Sequence, residues 1–239
     1  MKRHLAGLLA LSLLTPATLG HAQEAETVAP AEVALDFPDF LELDGQNGLY
    51  LLPDPEFSVL EGGTIEFWVE PDWSETPDYD PVVISAAGSG GAAYVIAILR
   101  DKTGLGFLTG EEEAVWAFDF DDGQVHHVAL NFYDGAVVAI VDGEPLGIAE
   151  MDVADIAPAG VWLGTADGNT APFVGAVAAL RIWGVPVEPE VLDQFRYVDV
   201  LAEATESHPD IDYLQVVSDF NNRDVLVVEP LGSGASEEG

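Results

Sequence analysis

Apolar and polar residues alternate with a period of two along most of this chain. In the stretch TIEFWVEP, Ile65, Phe67 and Val69 fall on one side and Thr64, Glu66, Trp68 and Glu70 on the other, the pattern of a half-buried strand. Shorter runs precede it: ALDF, DFLELDG and LYLLPD, broken by Pro38, Gly45, Gly48 and Pro53. After a loop of prolines and aspartates (SETPDYDP) come PVVISAA, AAYVIAILR, GLGFL and AVWAFDF, with turns at Asp101–Gly104 and Asp121–Gly123. HHVALNFYDGAVVAIVDG is a hairpin around Tyr133-Asp134-Gly135 that closes on Asp142-Gly143, since Asp-Gly between β-branched runs is a strong hairpin signal. GVWLGT, AVAALRIWG, DYLQVVSDF and DVLVVEP complete the strands, with Asn221-Asn222 between the last two. Helical spacing occurs only in PEVLDQFRYVDVLAE, where Val191, Leu192 and Phe195 recur after a Pro189 suited to a first turn, so one short helix is expected there. Many strands at regular spacing give an all-β, antiparallel sandwich or barrel.

The two ends read differently. Lys2, Arg3 and His4, then an apolar run from Leu5 to Leu14 and small residues Gly20 and Ala22, have the pattern of a secretory signal peptide over residues 1–22. Residues 23–32 are polar and aperiodic, a linker; 33–230 form a single domain; 231–239 are a disordered tail. No later stretch is apolar enough to insert in a membrane, and an exported protein, periplasmic or secreted, is expected. The chain holds no cysteine, which rules out disulfides and, with so few histidines, leaves no ligand set from which a zinc site would be expected.

Three motifs resemble those of laminin-G-like jelly-roll domains in the concanavalin A-like lectin/glucanase group. Thr64-Ile65-Glu66-Phe67-Trp68-Val69 is similar to an early Phe-Trp strand, and Val125-His126-His127-Val128-Ala129 with Val141-Asp142-Gly143 to a Trp-His-His-Val-Ala strand and its hairpin. Phe173-Val174-Gly175 leading into Arg181-Ile182-Trp183 is similar to a Phe-x-Gly element before an Arg-Ile-Trp strand. Val125 stands where the family usually has Trp, and Ala178 and Ala179 stand at positions usually acidic. The resemblance covers roughly residues 33–192 and implies a two-sheet jelly-roll sandwich with one concave face. Relatives bind glycans, proteins or calcium there, and some hydrolyse polysaccharides; fold does not choose among these.

Charge narrows the choice. Seven Lys and Arg face 43 Asp and Glu, a net charge of −36. Such a surface cannot neutralise phosphates, so nucleic acid and anionic lipid are excluded as partners. The acidity fits either a saline habitat, in which salt screens the repulsion, or a set of cation sites. Calcium takes six to eight oxygen ligands, and Asp119, Asp121, Asp122, Asp134, Asp142, Asp167 and Asn169 lie in loops able to supply them. Each of those loops also reads as an ordinary turn.

Two further constellations carry chemistry. Glu66, Trp68 and Glu70 share a strand face, as do Arg181 and Trp183; lining one sheet, they would stack on sugar rings and meet hydroxyls, whereas the alternative is that the indoles are packing residues and Arg181 pairs with a glutamate. Glu70, Asp72 and Glu75 resemble the Glu-x-Asp-x-x-Glu of laminarinase-type glycosidases, which implies nucleophile, assisting acid and proton donor. Pro71 interrupts that strand and Trp73–Pro77 reads as loop, so the three would not project together. The expectation is a non-catalytic recognition module for carbohydrate or another extracellular surface, with calcium as its one candidate cofactor. A glucan hydrolase and an adhesive, protein-binding domain are the alternatives.

Overall fold

The computed structural model describes residues 40–46, 48–51, 58–59, 62–88, 91–153, 158–198, 208–218 and 226–227. The chain divides into residues 1–34 and 35–239, and every described residue belongs to the second unit. The expected signal peptide, linker and tail, and the strand ALDF, lie outside the described residues.

Fourteen strands are present among them: β1 (Leu41–Asp44), β2 (Leu49–Leu51), β3 (Gly63–Pro71), β4 (Val82–Gly88), β5 (Gly91–Ile98), β6 (Gly104–Thr109), β7 (Glu112–Ala117), β8 (His126–Tyr133), β9 (Ala136–Val141), β10 (Glu144–Glu150), β11 (Pro158–Leu163), β12 (Val174–Trp183), β13 (Leu214–Ser218) and β14 (Leu226–Val227). They form two antiparallel sheets, one ordered β10-β9-β8-β3-β12-β13-β14 with β1 added on β12, the other β2-β11-β4-β5-β6-β7. This is the jelly-roll sandwich. Ile65, Phe67 and Val69 of β3, Val128, Leu130 and Phe132 of β8, and Ile96, Phe107 and Val161 of the facing sheet fill the space between the layers. The single α-helix among the described residues, α1 (Pro189–Phe195), starts on its proline as expected and lies within the apolar positions that the sequence marks.

Two irregularities place the functional side chains. The register between β3 and β12 shifts between Ala178 and Arg181, so that Trp68 faces Ala178 and Glu66 faces Arg181. One extra residue on β12 is a β-bulge, and Ala179 takes a left-handed φ of 48° to make it. Without that residue, strict alternation would put Arg181 on the side of Val177, which lies in the core; the bulge turns Arg181 onto the face of Glu66. The bulge also divides the far edge of β12, with β1 pairing Val174–Val177 and β13 pairing Leu180–Trp183.

At the β9–β10 turn, Asp142 and Gly143 have φ of 52° and 84°, both positive as a type I′ hairpin requires. A Cβ on Gly143 would come 2.7 Å from Asp193, so the turn abuts α1.

Candidate functional site

The outer face of the larger sheet gathers the residues that the sequence marked, but it does so inside the protein. Glu66 Oε1 accepts from Trp183 Nε1 at 2.8 Å and from Arg181 Nη1 at 3.2 Å, and Oε2 accepts from His127 Nε2 at 2.7 Å. Trp68 packs 5.0 Å from the His127 ring and 5.0 Å from Tyr197. Glu66 and Trp68 are 2% exposed, Arg181 5% and Trp183 0%. Residues 185–198 and 208–213 cover them: Thr64 and Asn131 bond to the backbone of Val185 and Val187, Arg181 Nη2 donates to the carbonyl of Val198, and Val187 and Leu192 pack on Trp183. Burial alone would raise the Glu66 pKa, but Arg181, His127 and Trp183 outweigh it and hold the group down at about 2. The residues expected to form a sugar-stacking face, Glu66, Trp68, Arg181 and Trp183, are therefore a buried ion cluster, in which His127 Nδ1 alone of the ring nitrogens has no partner among the described residues. Glu70, at the exposed end of β3, is the one member of the set outside it.

The aspartates expected to hold calcium serve their own loops. Asp119, Asp122 and Asp167 each accept backbone N–H groups two or three residues on, and Asp121 pairs with Lys102 Nζ at 2.6 Å. Asp134 lies exposed in the β8–β9 turn. Among the described residues no group of three His, Asp or Glu is arranged to hold a metal ion.

Asp122 and Asp142 instead grip one side chain. His126 Nδ1 lies 2.8 Å from Asp142 and Nε2 lies 3.0 Å from Asp122. A neutral imidazole carries a single N–H, so only the imidazolium donates to both. Burial opposes that charge, but the two carboxylates outweigh it and raise the His126 pKa above its ordinary 6.5. A raised pKa stabilises the fold fully below 6.5 and loses that contribution as pH climbs through the folded value. We therefore expect the melting temperature to fall as pH rises above 6.5, and His126→Gln to flatten that slope; a wild-type melting temperature constant through the alkaline range would contradict it.

An accessible concavity lies at the end of β3. Pro71 ends the strand, and Asp72 Oδ1 accepts the N–H of Ser74 at 2.8 Å, turning the chain outward. Trp73 thereby stands half-buried, its indole N–H donating to the carbonyl of Phe120 at 2.8 Å, with Lys102 Nζ 5.5 Å from its ring centre. On one side of it is a hollow of about 480 Å³ lined by Glu42, Glu70, Asp72, Asp121 and the backbone at Gly123 and Gly175. On the other is one of about 360 Å³ lined by Glu75, Pro77, Tyr79, Pro172, Phe173 and Val174. Asp72 and Trp73 border both. Glu70 and Glu75 thus line different hollows, while Asp72 serves its turn. Glu42 and Lys102 are absent from the set the sequence suggested, since neither sits in a recognisable pattern. Trp73 has a signal after all: a large aromatic in an acidic, proline-rich loop rather than on a strand.

Comparison with solved structures supports the architecture. A heptameric SAP-like pentraxin from Limulus polyphemus superimposes with a TM-score of 0.53 at 15% identity, over 68% of this chain and 83% of that one. A provisionally assigned carbohydrate binding protein from Bacteroides ovatus gives 0.52 at 19% identity, over 74% and 52%. A Trypanosoma rangeli sialidase gives 0.52 at 14% identity, over 70% of this chain but 27% of its own. At such identities the likeness is one of fold. No curated protein sequence matches the chain. The sequence profile of the concanavalin A-like lectin/glucanases superfamily does match, over residues 44–192, which takes in β3, the His126-His127 strand, the Asp142-Gly143 turn and β12, and the chain belongs to that family.

Proposed function

We propose that this protein is a non-catalytic recognition module, exported as residues 1–22 lead one to expect, that binds carbohydrate in the cleft around Trp73. The observation that carries the reading is a half-buried indole bordering two hollows, one rimmed by Glu42, Glu70 and Asp121 and the other by proline and aromatic side chains together with Glu75 and Asp78. Sugars present apolar CH faces and hydroxyl edges together, so a ring flanked by acceptors suits them. Glu42, Glu70, Asp72 and Asp121 in the first hollow would repel a carboxylated or sulfated sugar, which favours neutral glycans. A protein of the same fold is provisionally assigned as carbohydrate binding, and this family is lectin-like in part. The separation of Glu70 from Glu75 and the engagement of Asp72 by Ser74 support a binding role over a hydrolytic one.

The test is a neutral and acidic glycan panel, run with calcium and with chelator, alongside an assay for released reducing sugar. Trp73→Ala should weaken binding to any glycan that the native protein retains by about tenfold or more, equivalent to about 1.4 kcal/mol of lost stacking. A thermal melt of the variant checks that its fold survives loss of the bond to Phe120. Binding unaffected by the substitution, or glycan release by the native protein, would overturn the reading.

A further inference from the structure

A second device lies away from the cleft, on the turn that covers the Glu66 cluster. His208 is 4% exposed and stacks on Trp183, with ring centres 4.4 Å apart and planes 17° apart, while the Phe195 ring of α1 lies 4.6 Å from it, tilted by 54°. Its Nδ1 accepts the backbone N–H of Asp210 at 3.1 Å. That nitrogen must therefore present a lone pair, so the ring is neutral and its proton is on Nε2. The same residue opens a tight turn: its carbonyl accepts the N–H of Ile211, Tyr213 N–H bonds Asp210, and Gly184 N–H reaches back to the Tyr213 carbonyl. Ile211 then packs with Trp183 and Leu192. One imidazole thus joins β12, α1 and the turn leading into β13.

We propose that His208 is an acid-sensitive latch: neutral, it closes the 208–213 turn over Trp183, and a second proton at Nδ1 sets N–H against N–H and lets that turn lift from the Glu66–Trp183 face. The charges facing the ring are the Arg181 guanidinium on β12, which opposes protonation, and the carboxylates of Glu66 on β3 and Asp210 in the turn, which favour it. Glu66 is already committed to Arg181, His127 and Trp183. Burial dominates, and the His208 pKa lies below its ordinary 6.5. Closure is consequently complete above 6.5 and weakens as pH falls below it, because the open turn takes up a proton that the closed one refuses. His126, with its raised pKa, stays charged across that range and adds nothing to the slope.

The experiment is amide hydrogen exchange on the full chain, corrected for intrinsic rates, together with an NMR titration of the imidazole. Below pH 6.5 the Gly184 and Leu214 amides, which bond Tyr213 and Ile211, should open more often, by up to about tenfold per pH unit, while amides of β5 hold their protection. His208→Asn offers an acceptor for Asp210 that cannot be protonated, and it should abolish the slope. A ring that titrates at or above 6.5, a slope unchanged in His208→Asn, or equal losses in β5 would each overturn the proposal. Should His208→Asn fail to fold, the native titration and the contrast between β13 and β5 decide alone. None of these readouts involves the cleft, so a failed glycan panel leaves them intact.

Discussion

Glu66→Ala should destabilise the protein by about 3–5 kcal/mol, the cost of removing one partner from a buried ion pair. Three donors converge on this carboxylate, and its loss strands all of them: the Arg181 guanidinium, the Trp183 indole N–H and His127 Nε2, in residues no more than 5% exposed. Arg181 keeps its bond from Nη2 to the Val198 carbonyl but loses its counter-charge. Glu66→Gln keeps an acceptor for Trp183 but not the charge, and should cost less. Replacing Arg181 by Met in the Glu66→Ala background should recover part of the loss, because an unpaired buried cation is worse than none. The measurement is urea unfolding of the three variants with the midpoint read at constant slope. The same carboxylate sets the acid limit. Its folded pKa, depressed from 4.5 to about 2, contributes stability that is complete above 4.5 and is lost as pH falls toward 2. A loss under about 1 kcal/mol in Glu66→Ala would show that the cluster is not held as described.

That cluster marks how far the sequence could be read. Alternation placed Glu66 and Trp68 opposite Ile65 and Phe67, and it placed Arg181 and Trp183 opposite Leu180 and Ile182, as the structure has them. Their meeting depends on the bulge at Ala178-Ala179, and AVAAL carries no break in pattern to reveal one. Their burial depends on Val187, Leu192 and Leu214 landing on that face. Periodicity identifies the helix and says nothing of what it lands on. β10 escaped notice for a different reason: EPLGIAE contains a proline and ends in acids, the composition of a protected edge strand rather than of a core one. The cleft was partly visible, since Pro71 correctly ended β3, but its walls come from β1, the β3–β4 loop, the β7–β8 loop and β12, and no local pattern joins four such segments. The aspartates looked alike in sequence because a turn that needs a side-chain acceptor and a loop that holds a cation use the same residues.

Gly175→Ala should be the second most damaging change, and a comparison with Gly123→Ala shows why. Both glycines line the acidic hollow, and both have left-handed φ, 143° and 68°. A Cβ on Gly123 meets nothing within 4 Å, so only the backbone term remains, about 1–2 kcal/mol. A Cβ on Gly175 would run into the carbonyl oxygen of Glu70 and lie 2.9 Å from the Phe173 ring. Neither can retreat cheaply: Gly175 is paired with Pro71 on one side and Leu43 on the other, and Phe173 is 1% exposed in the core. Overpacking at a fixed site adds about 1–3 kcal/mol to the backbone strain, so a total of about 2–5 kcal/mol is expected, read as a drop in urea midpoint beyond that of Gly123→Ala. The substitution would also push β12 from β3 where Glu70 and Asp72 border the hollow, so glycan binding should weaken more than with Gly123→Ala at a temperature where both variants remain folded. Equal stability losses in the two would mean that the close approach of β12 to Glu70 is not what makes glycine necessary in the Phe-Val-Gly element, and that the wall of the cleft is softer than its packing implies.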